Sequence, residues 1–295
     1  MTKTLDSTAV YAYTTLISAA ELKQHIDNPT FVILDCRSEL TDTKAGAIAF
    51  AAGHIPGAQH ADPDTLLSDK SKGANGAFRG RHPLPTQEAF IDTLRDLGVY
   101  PNSQVIAYDA HGSMFASRLW WMLRWVGHKG VAVLDGGLPA WEAIGGTLTK
   151  EVIRRPRGSV TLQAPLASTV SADDVLANLS AKARIVLDAR ANDRFRGENE
   201  TIDPVAGHIP GAKNRFFKDN LQADGRYKPA EELRADFGAL IKSPETTIAQ
   251  CGSGISACHN LLAMEIAGLP GATLYPGSWS EWSSDASRPV ATGPA

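Results

Sequence analysis

The chain holds only three cysteines, Cys36, Cys251 and Cys258. Three cysteines cannot build a disulfide framework, and no two of them stand in C-x-x-C spacing. The same spacing argues against a structural zinc site or a thioredoxin-type motif. No run of about 18 apolar residues occurs, and no membrane span is expected. Met1 to Val10 lacks a basic segment followed by an apolar run, so no secretory signal is expected either. Basic charge is not in excess: 29 Lys and Arg face 32 Asp and Glu, a net charge of −3. That balance lacks the footprint of a nucleic-acid binder. The expectation is a cytoplasmic protein with neither membrane nor nucleic-acid partners. Hydrophobic residues at 43% and charged residues at 21% exclude a disordered chain. A length of 295 residues leaves room for two domains at roughly 150 residues each.

What is present is a repeat. Gly53-His54-Ile55-Pro56-Gly57-Ala58 recurs as Gly207-His208-Ile209-Pro210-Gly211-Ala212. Val32-Ile33-Leu34-Asp35-Cys36-Arg37 is matched by Ile185-Val186-Leu187-Asp188-Ala189-Arg190 at nearly the same offset. Upstream, Ser18-x-x-Glu21 and Ser171-x-x-Asp174 are two capping-box starts at that offset again. Three matches in register establish a tandem duplication. The division is residues 1–146, a linker over 147–167, and residues 168–295.

Short apolar runs at Phe31 to Leu34, Val105 to Tyr108, Ile185 to Leu187 and Thr247 to Ala249 suit buried parallel strands. Helical patterns at Gln87 to Leu97 and Glu231 to Leu240 lie between them. The alternation predicts an α/β fold, each copy a parallel sheet with helices on both faces. The twin His54 and His208 read as structural, since one of them serves a copy without a cysteine loop. Asp35 with Arg37, and Asp188 with Arg190, read as duplicated ion pairs. Trp120, Trp121 and Trp125 read as interdomain packing.

The copies differ where a central strand meets a helix, the end at which open α/β sheets bind ligands. The second copy has Cys251-Gly252-Ser253-Gly254-Ile255-Ser256-Ala257-Cys258, followed by a helix over His259 to Ala267. In the first copy Asp109 stands in the place of Cys251, and the loop carries no thiol. Glycines and small residues let successive N–H groups point inward as an anion-binding nest. The helix start adds partial positive charge. Such a setting favours a thiolate at Cys251 and holds a bound sulfur anion. Cys36 and Cys258 lack it and read as core.

These residues resemble the rhodanese-like sulfurtransferases. The resemblance rests on the doubled Gly-His-Ile-Pro-Gly-Ala, the loop Cys251 to Ala257, and Gly277-Ser278-Trp279-Ser280-Glu281-Trp282 with its counterpart Asp135 to Trp141. It implies two rhodanese-like domains, the first silent and the second catalytic. Thiosulfate-type members place basic residues just after the cysteine. Gly252 and Ser253 occupy those positions here, and Cys-Gly-Ser-Gly resembles the 3-mercaptopyruvate sulfurtransferase branch. That likeness implies a relay of Ser253, His82 and Asp64, with Asp62 as the rival aspartate, and a site between the domains. It also implies Arg194 as a substrate arginine. The branch has a second arginine about nine residues on, where this chain has Asp203. Arg196 is the candidate substitute. Gly252, Gly254, Ile255, Ser256 and Ala257 would hold the transferred sulfur through their N–H groups.

The expected reaction is a two-step transfer from 3-mercaptopyruvate, through a Cys251 persulfide, to cyanide or a thiol such as thioredoxin or glutathione. No metal or organic cofactor is implied. Thiosulfate as donor is the alternative within the enzymes. A non-catalytic sulfur-carrier module is the alternative outside them. A cysteine phosphatase would need an arginine in the loop, and Cys251 to Ala257 has none.

Overall fold

The computed structural model describes residues 11–73 and 76–294. Its first half contains β1 (Leu16–Ile17), α1 (Ala19–Gln24), β2 (Phe31–Asp35), α2 (Ala45–Ala52), β3 (Ala58–His60), α3 (Gln87–Asp96), β4 (Gln104–Tyr108), α4 (Ala116–Trp125), β5 (Val131–Leu134) and α5 (Gly137–Ala143). Its second half contains α6 (Ala172–Ala181), β6 (Ile185–Asp188), α7 (Asn192–Arg196), β7 (Lys213–Asn214), α8 (Ala230–Gly238), β8 (Thr247–Gln250), α9 (Ser256–Ile266), β9 (Thr273–Leu274) and α10 (Ser278–Trp282). Both capping boxes form: the Ser18 hydroxyl accepts from Glu21 N–H, and the Ser171 hydroxyl from Asp174 N–H.

All strand pairs are parallel. The first sheet runs β1-β5-β4-β2-β3 and the second β7-β6-β8-β9. A single parallel bridge from Thr169 to Leu274 stands in the second sheet where β1 stands in the first. The central strands are buried on both faces, as crossover helices on both sides require. Within β2, Val32 and Leu34 face one core, while Phe31 and Ile33 face another. The first of these cores does not stop at the domain boundary. It runs from Leu119 and Leu123 on α4 to Leu261 and Ala263 on α9. Trp121 and Trp125 stack at 6.0 Å beside that seam. The fold is therefore two α/β domains sharing one apolar layer.

The duplicated polar groups do duplicated work. Arg37 is bonded to Asp35 at 2.6 Å and donates to Gly53 O at 2.7 Å. Arg190 is bonded to Asp188 at 2.7 Å and donates to Gly207 O at 2.8 Å. Each pair ties a strand end to the Gly-His-Ile-Pro turn. His54 stacks on Phe50 at 3.8 Å and bonds Phe50 O, while His208 stacks on Phe195 at 3.9 Å and bonds Phe195 O. The connecting segment runs along the first domain. Gly158 N–H donates to Arg95 O, Val160 N–H to Val99 O, Gln163 N–H to Val126 O and Leu166 N–H to Arg124 O.

Candidate active site

Cys251 follows the last residue of β8, the strand that lies between β6 and β9. Its side chain is buried, with 2% of the residue exposed. The chain then turns sharply. Gly254 takes φ +78, and a Cβ there would lie 2.4 Å from Pro276 O, so only glycine fits the turn. The turn aims Gly254 N–H at Cys251 Sγ, 3.1 Å away. Helix α9 begins at Ser256, three residues earlier than the sequence pattern indicated. Ser256 and Ala257 therefore belong to the helix start, with Ile255 as its N-cap. Ile255 and Ala257 are buried. The positive end of α9 thus sits directly behind the sulfur.

The silent loop shows what such a turn binds. Asp109 follows β4, and its carboxylate accepts four backbone N–H groups: His111 at 2.8 Å, Ser113 at 2.9 Å, Phe115 at 2.8 Å and Ala116 at 2.9 Å. One loop of the duplication is a filled anion cradle. The other presents a sulfur.

Three side chains from distant parts of the sequence meet beside Cys251. Ser253 Oγ lies 2.7 Å from His82 Nδ1. His82 Nε2 lies 3.2 Å from Asp64 Oδ1. The hydrogen bond to His82, with Lys70 alongside, brings the Asp64 carboxyl down to about 2. An ionised Asp64 only accepts, so His82 Nε2 carries the proton and donates. His82 Nδ1 then accepts the Ser253 hydroxyl proton. Burial lowers the His82 pKa below its ordinary value, which keeps the ring neutral. Asp62, the rival aspartate, accepts from the N–H of Asp64 at 2.8 Å and caps this turn.

Arg194 lies on α7 and grips Glu200 with Nε and Nη2, while Nη2 also reaches Asp203 Oδ2 at 3.1 Å. Arg196, two residues on, pairs with the exposed Glu198 instead. The structure brings Arg194 to the loop, its Nη2 3.8 Å from where a Gly252 Cβ would stand.

Two further arginines belong here. Arg118, on α4 of the first domain, is wholly buried. It donates to Gly254 O at 3.1 Å and to His82 O at 3.0 Å, bracing both the loop and the relay from below. Burial lowers its pKa, against the pull of the Cys258 and Cys251 sulfurs beside it. Arg81, beside His82, reaches the Gly252 side of the loop. Sequence reasoning missed both. The only available signal was their position: one next to His82, the other on the Trp-rich helix that packs α9. Cys258 is core, with burial pushing its thiol up to about 12.

Residues 18–144 and 171–285 each match the family described as Rhodanese-like domain. The chain belongs to the rhodanese-like family. A Pseudomonas aeruginosa protein named "Probable 3-mercaptopyruvate sulfurtransferase" is 45% identical over 282 residues, 94% of this chain and 98% of that one. The mouse thiosulfate sulfurtransferase is 34% identical and covers 92% of both chains. The crystal structure of SseA from Escherichia coli, titled as a 3-mercaptopyruvate sulfotransferase, superposes with a TM-score of 0.78 at 34% identity. It covers 90% of this chain and 99% of that chain. Among the described residues of this rhodanese-like chain, no group of three or more His, Cys, Asp or Glu is placed to hold a metal ion. Among them, too, no helix is long and apolar enough to cross a membrane.

Proposed function

We propose that this chain, a sulfurtransferase of the rhodanese-like family, takes its sulfur from 3-mercaptopyruvate. The observation that carries the reading is the Ser253–His82–Asp64 chain beside Cys251, in a loop without a basic side chain of its own. A thiol donor brings a proton that must be managed, and this chain of hydrogen bonds manages one. Thiosulfate brings none.

In the first step the Cys251 thiolate attacks the donor sulfur. An S–S bond forms as the C–S bond breaks, and its electron pair passes to carbon as the enolate of pyruvate. The enolate takes up a proton and leaves as pyruvate. Cys251 retains the outer sulfur as a persulfide, an anion that the N–H groups from Gly252 to Ala257 and the α9 terminus are suited to hold. Neutral His82 accepts the Ser253 proton as Ser253 Oγ takes that of the donor thiol. Asp64 fixes the ring and its tautomer. In the second step an acceptor takes the outer sulfur and frees Cys251. Acceptors of the required chemistry are cyanide and small or protein thiols, such as glutathione and thioredoxin. The chemistry calls for no metal or organic cofactor and no nucleic-acid or membrane partner, and suits a reducing, cytoplasmic setting.

Steady-state transfer to cyanide from 3-mercaptopyruvate and from thiosulfate, run side by side, tests the reading. A higher kcat/KM with 3-mercaptopyruvate supports it, and a higher value with thiosulfate overturns it.

A further inference from the structure

The segment before His82 leaves the first domain and lies on the second. Gly80 takes φ +90, and a Cβ there would lie 2.7 Å from Gly277 O, so the two backbones touch. Arg81 N–H donates to Ser280 Oγ at 3.1 Å. This seating carries the Arg81 guanidinium to the nucleophile's loop: a Cβ on Gly252 would stand 2.8 Å from Arg81 Nη2 and 3.8 Å from Arg194 Nη2. Two guanidinium groups, one from each domain, converge on the residue after Cys251. Asp203 lies between them, with Oδ1 on Arg81 Nη1 and Oδ2 on Arg194 Nη2. The Asp203 side chain is 2% exposed, whereas Arg81 is 26% and Arg194 17% exposed, so the forks face the solvent side of a buried acid. Among the described residues, Arg81 Nη2 and Arg194 Nη1 have no hydrogen-bond partner within the chain. Each fork keeps free N–H groups beside the reacting centre.

We infer that Arg81 and Arg194 together form the carboxylate clamp of the donor site, with Asp203 as the internal acid that holds both forks in place. The inference rests on the 3-mercaptopyruvate reading and names the residues that would recognise that donor's carboxylate. Two forks suit a carboxylate, which accepts bidentate pairs in a plane. The charge around the clamp sets its selectivity. Arg81, Arg190 and Arg194 face Asp188, Glu200 and Asp203. Three cations meet three acids, so no positive charge is in surplus and recognition falls to the free N–H groups of the two forks. With no cation in surplus, a dianion such as thiosulfate meets more repulsion from Asp203 and Glu200 than a monoanion does. Asp203 therefore selects against dianions while ordering the clamp.

The test uses the full chain with cyanide as acceptor and pyruvate as inhibitor. Arg81→Gln is expected to raise KM for 3-mercaptopyruvate, and the inhibition constant of pyruvate, by about tenfold or more, with kcat changed far less. Arg81→Lys keeps the charge and the pair with Asp203 but loses the fork, so a several-fold rise in both constants is expected. Asp203→Asn is expected to raise kcat/KM for thiosulfate relative to 3-mercaptopyruvate. If Arg81 were only an interdomain tie, Arg81→Gln would lower the melting temperature and leave KM and pyruvate inhibition at wild-type values, which would overturn the clamp. Should Arg81→Gln fail to fold, wild-type constants in Arg81→Lys overturn it equally. A wild type that ignores 3-mercaptopyruvate overturns the donor reading. Pyruvate inhibition of its thiosulfate reaction, lost or kept in Arg81→Lys, still decides the clamp.

Discussion

Asp109 and Cys251 follow corresponding strands of the two domains, and each receives backbone N–H from the loop that comes after it. In the first domain the guest is a carboxylate with four hydrogen bonds. In the second it is a sulfur with Gly254 N–H at 3.1 Å. The duplication has kept the same strand-to-helix turn twice, filled in the first domain by the chain's own carboxylate.

Replacing Asp109 by Asn puts an amide N–H₂ among donors and leaves buried N–H groups unmatched. A loss of about 2–4 kcal/mol in urea unfolding is expected, since each orphaned buried group costs roughly 1–3 kcal/mol. The KM for donor should stay at the wild-type value, because Asp109 contacts no residue of the relay or the clamp.

Cys251→Ser is expected to abolish transfer from either donor, by at least about 10³-fold in kcat, as removal of a covalent nucleophile does. Intact-protein mass after incubation with donor should show one added sulfur in the wild type and none in the variant. Cys258→Ser, at a buried thiol behind the loop, should still gain that sulfur.

The relay distinguishes donors. Ser253→Ala and His82→Asn are each expected to lower kcat for 3-mercaptopyruvate by about 10²-fold, the usual worth of a general acid–base group. Thiosulfate turnover, with no thiol proton to move, should fall far less. Equal losses on both donors would show that Ser253 and His82 support the loop and do not move a proton.

The pH profile follows from burial. His82 is held below its ordinary value of 6.5, chiefly by desolvation. It therefore stays neutral through pH 7, and kcat for 3-mercaptopyruvate should fall only on an acid limb below 6.5. Asp64 opposes that shift, so Asp64→Asn should move the limb further toward acid. Stability follows the same signs. Between the folded value and 6.5 the unfolded chain binds the extra proton at His82, so stability drops as the pH falls through that window. Asp64, depressed to about 2, contributes stability that is present above its ordinary value of 3.8 and lost as the pH falls toward 2. Urea titrations from pH 7 to about 2, with Asp64→Asn as control, measure both.

Much of this was legible in the sequence because repetition exposes topology. Once Asp35–Arg37 and Asp188–Arg190 are seen as one motif, two parallel sheets follow, and so does the contrast between Asp109 and Cys251. Ser253, His82 and Asp64 could be named by their neighbours and lie within hydrogen-bonding distance of one another. Arg81 could not. Its partner Asp203 lies 122 residues away in the other domain. Its nearness to Gly252 depends on how Gly80 seats against Gly277. Arg118 sits inside an apolar helix, where an arginine reads as an end of the stripe until α9 is packed against it. Helix α9 starts at Ser256, directly after the left-handed turn at Gly254 and the N-cap Ile255.

The segment along the first domain has a consequence for access to the sulfur. Leu166 is anchored to Arg124 O, while Ser168 O already accepts from Leu274 N–H and Val170 N–H donates to Leu274 O. Ala167 alone lies between the two anchorages. So short a connection leaves few dihedrals free to turn, and the shared apolar layer between α4 and α9 resists sliding. The anchored segment and the shared layer together oppose a domain motion that would widen the cleft. In a two-step cycle donor and acceptor then meet Cys251 in turn at one site whose walls come from both domains.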